Sequence, residues 1–479
     1  MKKTNIEAEN TRLKSELFTL KKEIKKLSQK IEKSSDKTAG LQKELKKKRR
    51  SECNIDKATR TITFEPIARH KYSEIVVRLS TMLYTRVNCG LRQVVEILNV
   101  INDTFEGFLG TIPCYNTIEN WVKKCGLNVY ENDYSLLKGT KYAQIVDESM
   151  MIGSEKLLLT LGIPAEHQGH PLICTDTTIL GIAVAKSWNG EGVANELRKA
   201  SMKVGHDPHY VISDNASIMR KGVRCAELNH QHDISHSLGM FLERTYKNES
   251  DFTGYLKSMS ETKKKLNMKI IAHLLPPTQR TISRFINLSD WVKWSSKILE
   301  VYHSLKVDER EVFSFINANA SLIDELIEVI KCTNRIEHIC KHKGLSKITV
   351  NECQKEIKKH LFRGNTRMIH LGECINQFLK KEVMLVGSDI YAHNNSSDIL
   401  ESIFGMYKAR KSPNKLNGIT PFILFAPIYT KLRNNSKSKM FNFKIALEEK
   451  RMRDIEEWRK ENLTQNLVQL RINRLGKVA

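Results

Sequence analysis

The sequence predicts an α/β protein in which a mixed sheet is covered by helices and interrupted by a long all-helical segment. β-like runs between Lys141 and Asp233 are separated by helical stretches, the pattern of a sheet with helical cover. From Tyr255 to Lys343 there is no glycine, and apolar residues recur at helical spacing. Helical periodicity also precedes the sheet, from Tyr72 to Leu127.

The net charge, the lengths of the apolar runs and the cysteine pattern limit which class of protein this can be. The 479 residues include 78 Lys+Arg against 54 Asp+Glu, a net charge of +24, which predicts a polyanionic partner such as nucleic acid. No apolar run approaches the roughly 20 residues that span a bilayer, and the N-terminus is charged, so we expect no membrane association and a cytoplasmic, nucleoid-associated protein. Ten cysteines without a CxxC pair indicate neither a disulfide framework nor a zinc ribbon.

The first segment, 1–50, predicts a coiled coil followed by a basic linker. Ile6 stands one heptad before a seam of apolar residues at alternating spacings of four and three: Leu13, Leu17, Leu20, Ile24, Leu27 and Ile31. Such a seam pairs helices, so we expect a homodimer or a higher homo-oligomer; a lone solvated helix is the alternative. The KKKRR run at 46–50 suits phosphates or a flexible linker.

Segment 51–135 predicts a helix-turn-helix-like DNA-binding region. Pro113 and Gly126 delimit one short helix whose inner face holds Ile118, Trp121 and Val122. Amides and ammonium groups on one helix face suit base edges and phosphates. An ordinary polar helix face is the alternative. The outer face presents Asn116, Asn120, Lys123 and Lys124.

The sheet is predicted within 136–249, with a helix from Gly190 to Met202 between its third and fourth strands. The segment 250–385 is predicted to be all helical, 386–430 to return to the sheet, and 431–479 to form a basic helical tail with 13 Lys+Arg against 6 acids. The predicted strands are Tyr142–Met150, Lys156–Ile163, Thr177–Lys186, His209–Ser213 and His230–Asp233.

Three acids occupy positions from which a metal site can be assembled. Asp147 lies in the first strand, Asp214 ends the fourth, and Glu401 lies in a helix that follows the all-helical segment. Mg²⁺ prefers such oxygen ligands, and three buried carboxylates without a cation would be very costly. Taken singly, Asp214 could cap a helix and the other two could be surface acids. Their joint arrangement favours a catalytic and metal-binding role.

With these motifs the chain resembles a DDE-type transposase with an RNase H-like core, of the kind found in bacterial insertion sequences. The order of elements around the three acids carries the resemblance, together with the all-helical insertion. Asp233-Ile-Ser-His236 matches the [C/D]xxH motif of hAT and Mutator-like groups, and Lys408 follows Glu401 at the expected spacing. Asn394 and Ser397 depart from the fuller signature of one bacterial group, so that group is not assigned.

The resemblance implies Mg²⁺-dependent cleavage and strand transfer at the ends of a mobile element, with Mn²⁺ able to substitute. Its partners would be double-stranded DNA, both element ends and target. Lys408 would contact DNA, and Trp291 or Trp294 would stack on a flipped base, although their spacing also suits a helical core face. Asp233 and His236 would be either a structural pair or part of the catalytic site.

Two other functions fit the same residues. One is a non-catalytic DNA-binding protein, a domesticated relative that uses only the coiled coil and the helix-turn-helix. The other is an RNase H-like nuclease that cuts DNA without joining it. An assay that separates joined products, cut products and shifted bands distinguishes all three functions.

Overall fold

A computed structural model describes residues 66–149, 151–266, 273–277, 285, 288–385, 391–412, 414, 416, 418–433, 441–465 and 467–476. The chain divides into two units, Met1–Phe64 and Glu65–Ala479, and the described residues all belong to the second. The predicted coiled coil and basic linker therefore lie outside the described residues. Among the described helices, none has the length and apolar character needed to cross a membrane.

A five-stranded mixed sheet lies at the centre of the described unit. Its order is β3-β2-β1-β4-β5, in which the β1–β2 and β2–β3 pairs are antiparallel and the β1–β4 and β4–β5 pairs are parallel. All five predicted strands are confirmed, with ends that differ by up to two residues. The strands are β1 Tyr142–Glu148, β2 Lys156–Pro164, β3 Thr178–Ala185, β4 Val211–Ser213 and β5 His230–His232.

Helices account for most of the remaining described chain. Those before and between the strands are α1 Glu74–Met82, α2 Leu91–Thr104, α3 Tyr115–Asn132, α4 Gly190–Val204 and α5 Ser217–Cys225. Those between β5 and residue 385 are α6 Ile234–Tyr246, α7 Ser250–Leu266, α8 Leu288–Val301, α9 Val307–Val312, α10 Ser314–Ala318, α11 Ala320–Lys343, α12 Lys347–His360 and α13 Thr366–Leu385. The last are α14 Asp398–Arg410, α15 Phe425–Leu432, α16 Phe443–Glu449, α17 Met452–Asn462 and α18 Leu467–Leu475.

Both faces of the sheet are covered, which explains why β1 is buried over its first five residues rather than on alternate positions. Val146 and Val211 point to the face covered by α4 and α5. Ile145 and Ile212 point to the opposite face, where they share a core with Phe404 of α14 and with the helices before the sheet. Asp147 and Asp214 each follow an isoleucine of this second face by two residues.

The helix predicted to end at Gly126 does not end there. It continues to Asn132 as α3 and lies at the centre of the helices α1, α2, α15, α16 and α17. A Cβ at position 126 would come within 1.9 Å of the Leu424 carbonyl oxygen. The glycine therefore allows close helix packing, and the prediction that it terminates the helix is wrong.

The helices α6 to α13 form a block with its own apolar core, which runs from Ile234 to Leu379. This block begins earlier than residue 250, because α6 packs into it. Glu382 of α13 is only 1% exposed, and it links the block to the sheet. Its carboxylate accepts hydrogen bonds from Gln231 Nε2 (2.5 Å) and from the backbone N–H of His232 (2.9 Å).

Candidate active site

The backbone register brings two of the three predicted acids to one edge of the sheet. Gln144 pairs with Val211 and Ile145 with Ile212 in the parallel β1–β4 ladder. Continued by two residues, this register sets Asp147 level with Asp214 on adjacent strands, which are about 5 Å apart. Asp147 and Asp214 each lie two residues after an isoleucine whose side chain points to the face covered by α14. Because side chains alternate between the two faces along a strand, both carboxylates point toward that helix.

Glu401 reaches the same edge from the first turn of α14, which packs against β1. Its side chain is 67% exposed and lies opposite His236 of α6, with 3.8 Å between Glu401 Oε1 and His236 Nε2. The structure thus brings together Asp147, Asp214, Glu401 and His236, which the sequence analysis singled out from four separate elements.

The electrostatics show how closely these groups interact. Burial and the neighbouring Asp214 carboxylate raise the pKa of Asp147 to about 7, and Glu401 adds to this effect. Contact with Glu401 raises the pKa of His236 to about 9 despite burial, with further contributions from Asp233, Asp214 and Asp147. The same contact lowers the pKa of Glu401. At neutral pH the imidazolium of His236 is therefore a cation inside an acidic cluster.

The donor chemistry of this cluster fits a hard divalent cation. Asp147 and Asp214 offer carboxylate oxygens, repel one another, and gain from any positive charge placed between them. Across the described ranges, no three side chains of His, Cys, Asp or Glu are grouped so that they could hold a metal ion. Glu401 is instead paired with His236, so the two aspartates are the part of the cluster best suited to a cation.

The N-cap of α5 is Ala216, without a side-chain capping hydrogen bond, so Asp214 does not cap this helix and instead holds the turn before it. Asp214 Oδ1 accepts a hydrogen bond from the Ala216 N–H (3.0 Å) just before α5. The next residue, Asn215, donates to Ser237 Oγ of α6 (2.9 Å). The turn after β4 is thereby fixed to α5 and to α6, which holds Asp214 in place beside Asp147.

Asp233 is fully buried and joins three of the four elements that carry the acidic cluster: β4, α6 and α14. Its N–H donates to the Ser213 carbonyl at the end of β4 (2.9 Å), and its Oδ1 accepts from the His236 N–H (2.8 Å) as the N-cap of α6. Its Oδ2 accepts from the N–H (2.6 Å) and Oγ (3.0 Å) of Ser397, the residue before α14. Of the two roles left open by the sequence, Asp233 has the structural one, while His236 lies in the cluster itself.

Lys408 lies two turns after Glu401 on α14, close enough to the acids for Asp147 and Glu401 to act on its pKa. Burial lowers that pKa, and the two carboxylates oppose the shift. A partly buried cation therefore stands beside the carboxylates, at the position that the resemblance assigns to a DNA contact.

The predicted DNA-binding face of α3 is only partly open. Asn116 is exposed in the first turn, whereas Asn120 is half-buried. Lys123 pairs with Glu119 (2.5 Å), and burial lowers the pKa of the half-buried Lys124. The helix is thus a core element of its region, and its exposed N-terminal turn is what remains accessible to a ligand.

Trp291 is 1% exposed and packs in the core of the helical block, so its ring faces are not available to a base. The prediction that Trp291 contacts DNA is therefore wrong for this structure. Trp294 is half-buried and donates from Nε1 to the Leu274 carbonyl (3.2 Å). It lines a shallow groove with Lys293 and Lys297.

The sequence analysis missed the structural role of Ser397 and the basic character of α5. The role of Ser397 could not be found, because its partner Asp233 is distant in the chain. The helix carried a readable signal: it directly follows Asp214 and holds Arg220, Lys221 and Arg224 without an acid. Comparisons of the sequence with models of known families and with curated proteins found no match. The function is therefore argued from the residues themselves.

Proposed function

We propose that this chain is a DDE-type DNA transposase, which cleaves DNA strands at the ends of a mobile element and joins them to a target. The observation that carries the proposal is the meeting of Asp147, Asp214 and Glu401 with His236 at one sheet edge, from widely separated parts of the chain. The strand order and the placement of Glu401 on a helix that returns to β1 support an RNase H-like core. The helical block α6–α13 takes the place of the insertion.

Each residue of the cluster has a defined part in this proposal. Asp147 and Asp214 would hold Mg²⁺, and Glu401, which contacts His236 in this structure, would complete the ligand set when metal and DNA are bound. Two Mg²⁺ ions at this site would supply activation of the attacking oxygen and stabilisation of the leaving 3′ oxygen. Asp147 and Asp214 are fixed by the sheet, so their charges need little rearrangement. His236 orients Glu401, and Lys408 offers a positive charge to a phosphate beside the acids. Water and then a freed 3′-hydroxyl can attack in the same in-line geometry.

The charge of the chain supports a DNA substrate. A net +24 matches a partner with many phosphates, and binding should weaken steeply as salt rises. Transposition needs the two element ends to be held together. The heptad seam within 1–50 supports a homodimer or a higher homo-oligomer as the working form.

The experiment is a strand-cleavage and strand-transfer assay with the full chain. Labelled DNA carrying the sequences that flank the gene, a supercoiled plasmid and Mg²⁺ are incubated with wild type and variants. We expect the wild type to give products joined to the plasmid. Asp147→Asn, Asp214→Asn and Glu401→Gln should each abolish cut and joined products. Glu243→Gln on α6, which removes an exposed acid paired with Lys247, should retain both.

Other outcomes contradict the proposal in distinct ways. Cut products without joined ones from the wild type indicate the nuclease. Shifted DNA bands without cleavage, in Mg²⁺ and in Mn²⁺, indicate a non-catalytic DNA-binding protein. Cleavage that survives Asp147→Asn shows that the chemistry does not use this cluster.

A further inference from the structure

An open groove of about 740 Å³ runs along α5, beside the candidate active site. The helix begins three residues after Asp214, and the hydrogen bond from the Ala216 N–H to Asp214 Oδ1 fixes the turn between them. The groove thus starts where the acidic cluster ends. Its lining residues are Ser217, Arg220, Lys221, Arg224, Glu227, Leu228 and His230.

The groove is basic, because three cations line it against one acid, Glu227. Arg220, Lys221 and Arg224 are exposed, and α5 contains neither Asp nor Glu. In the described part of the chain, none of the three has a side-chain hydrogen bond or ion pair. The neighbouring helix α4 differs, because its Lys199 pairs with Glu196 (2.7 Å). Like charges three and four residues apart on a helix repel, so α5 gains from an anionic ligand.

The length of α5 suits a nucleic-acid backbone rather than a single small anion. Nine helical residues extend about 13 Å. A DNA strand carries one phosphate for about every 3.4 Å of the helix axis, so about four phosphates match this length. The three cations lie between residues 220 and 224, about 6 Å of the helix axis, and therefore face about two of these phosphates.

The far end of the groove limits this basic stretch. His230 is neutral there, because burial lowers its pKa to about 3, and its Nε2 lies 2.7 Å from Ser213 Oγ. Glu227 follows α5 directly and is the single acid among the residues that line the groove. Its carboxylate opposes a phosphate at that end.

We infer that the groove along α5 binds the phosphodiester backbone of the DNA strand that reacts at Asp214. The inference rests on the proposed function for the identity of that strand, and it adds the path of the strand across the protein. Arg220, Lys221 and Arg224 bind the phosphates next to the reacting one, and Glu227 marks the point at which the strand leaves the groove.

The test is equilibrium binding by the full chain in EDTA, so that it does not depend on cleavage. The probes are a fluorescein-labelled duplex of 40 base pairs and a 20-nucleotide single strand, followed by anisotropy over a range of salt. Arg220→Gln with Arg224→Gln is compared with Lys331→Gln and Arg335→Gln on α11. The control pair also removes two exposed cations four residues apart, each of them already next to an acid. A second variant, Arg220→Lys with Arg224→Lys, keeps the positive charge at both positions.

We expect Arg220→Gln with Arg224→Gln to weaken binding of at least one probe roughly tenfold. The slope of log affinity against log salt concentration should fall by nearly two. The lysine pair and the α11 control should bind like wild type, and Glu227→Gln should bind more tightly. The probe whose binding is weakened shows whether the groove holds duplex or single-stranded DNA. Wild-type affinity and slope in the glutamine pair, or an equal loss in the α11 control, would overturn the inference. Neither result bears on cleavage, so the groove and the proposed chemistry can fail separately.

Discussion

The helical block and the sheet edge both bring several carboxylates close to cations, but the balance of charge differs. In the block, Arg367 of α13 donates to Glu325 from Nε and Nη2 (2.6 Å each) and to Asp251 from Nη2 (2.8 Å). This pairing lowers the pKa of Asp251. At the sheet edge the acids outnumber the cations, and the pKa of Asp147 rises to about 7.

The difference separates carboxylates that stabilise the fold from carboxylates that await a ligand. A guanidinium with fixed, paired donors satisfies the acids of the block without any outside group. The imidazolium of His236 faces more acids than it can contact, so Asp147 and Asp214 keep an unmatched charge. An uncompensated cluster costs stability, which is the usual property of a binding site rather than of a structural one.

The largest effect is expected where the block loses its cation. Arg367→Ala leaves the Glu325 carboxylate, whose side chain is only 9% exposed, without its cation and with only the hydrogen bonds from Tyr246 and Asn365. We expect the free energy of unfolding to fall by about 3–5 kcal/mol. Arg335→Ala, which removes a cation 3.9 Å from Glu356 at the surface, should cost less than about 1 kcal/mol. Urea unfolding measures the free energy of unfolding of both variants. Equal losses would contradict the distinction between the buried ion pairs of Arg367 and the exposed pair of Arg335.

A smaller loss is expected at Asp233, where a buried acid is satisfied by hydrogen-bond donors instead of a guanidinium. Asp233→Ala removes the N-cap of α6 and the two hydrogen bonds from Ser397, for a loss of about 2–3 kcal/mol. Asp233→Asn keeps one acceptor oxygen and should therefore lose less of the free energy of unfolding than Asp233→Ala. The thermal midpoints of the two variants give the comparison, and an alanine variant as stable as wild type would refute this role.

The smallest effect is a gain of stability, and it depends on pH. The folded-state pKa of Asp147 lies above its ordinary value of 3.8, so its contribution is fully present below pH 3.8 and is lost as pH rises through about 7. In EDTA, Asp147→Asn should therefore stabilise the protein more at pH 8.5 than at pH 5, by about 2 kcal/mol, because the contribution is already partly lost between pH 3.8 and pH 5. The contact between Lys247 and Glu243 offers a surface control, Glu243→Gln, without that gain. Stabilisation by Asp147→Asn that is equal at both pH values would contradict the shifted pKa.

The strands and the three acids could be predicted because their signals are local. A continuous apolar run before Asp147, and another before Asp214, is enough to place both at strand ends, and the parallel pairing then brings them level. The role of Gly126 could not be predicted, since its reason is the approach of Leu424 from a distant part of the chain. Trp291 and Trp294 have similar sequence contexts, and only the packing of the block decides which ring is enclosed.

Direct measurement of metal binding tests the central claim, that Asp147 and Asp214 bind divalent cations at the edge of the sheet. Isothermal titration of Mn²⁺ into the full chain at pH 7.5, without DNA, should give saturable binding by the wild type. Asp147→Asn and Asp214→Asn should each lower the affinity at least about tenfold, and Glu243→Gln should leave it unchanged. Equal Mn²⁺ binding by the wild type and both aspartate variants, or no binding by the wild type, would contradict the account.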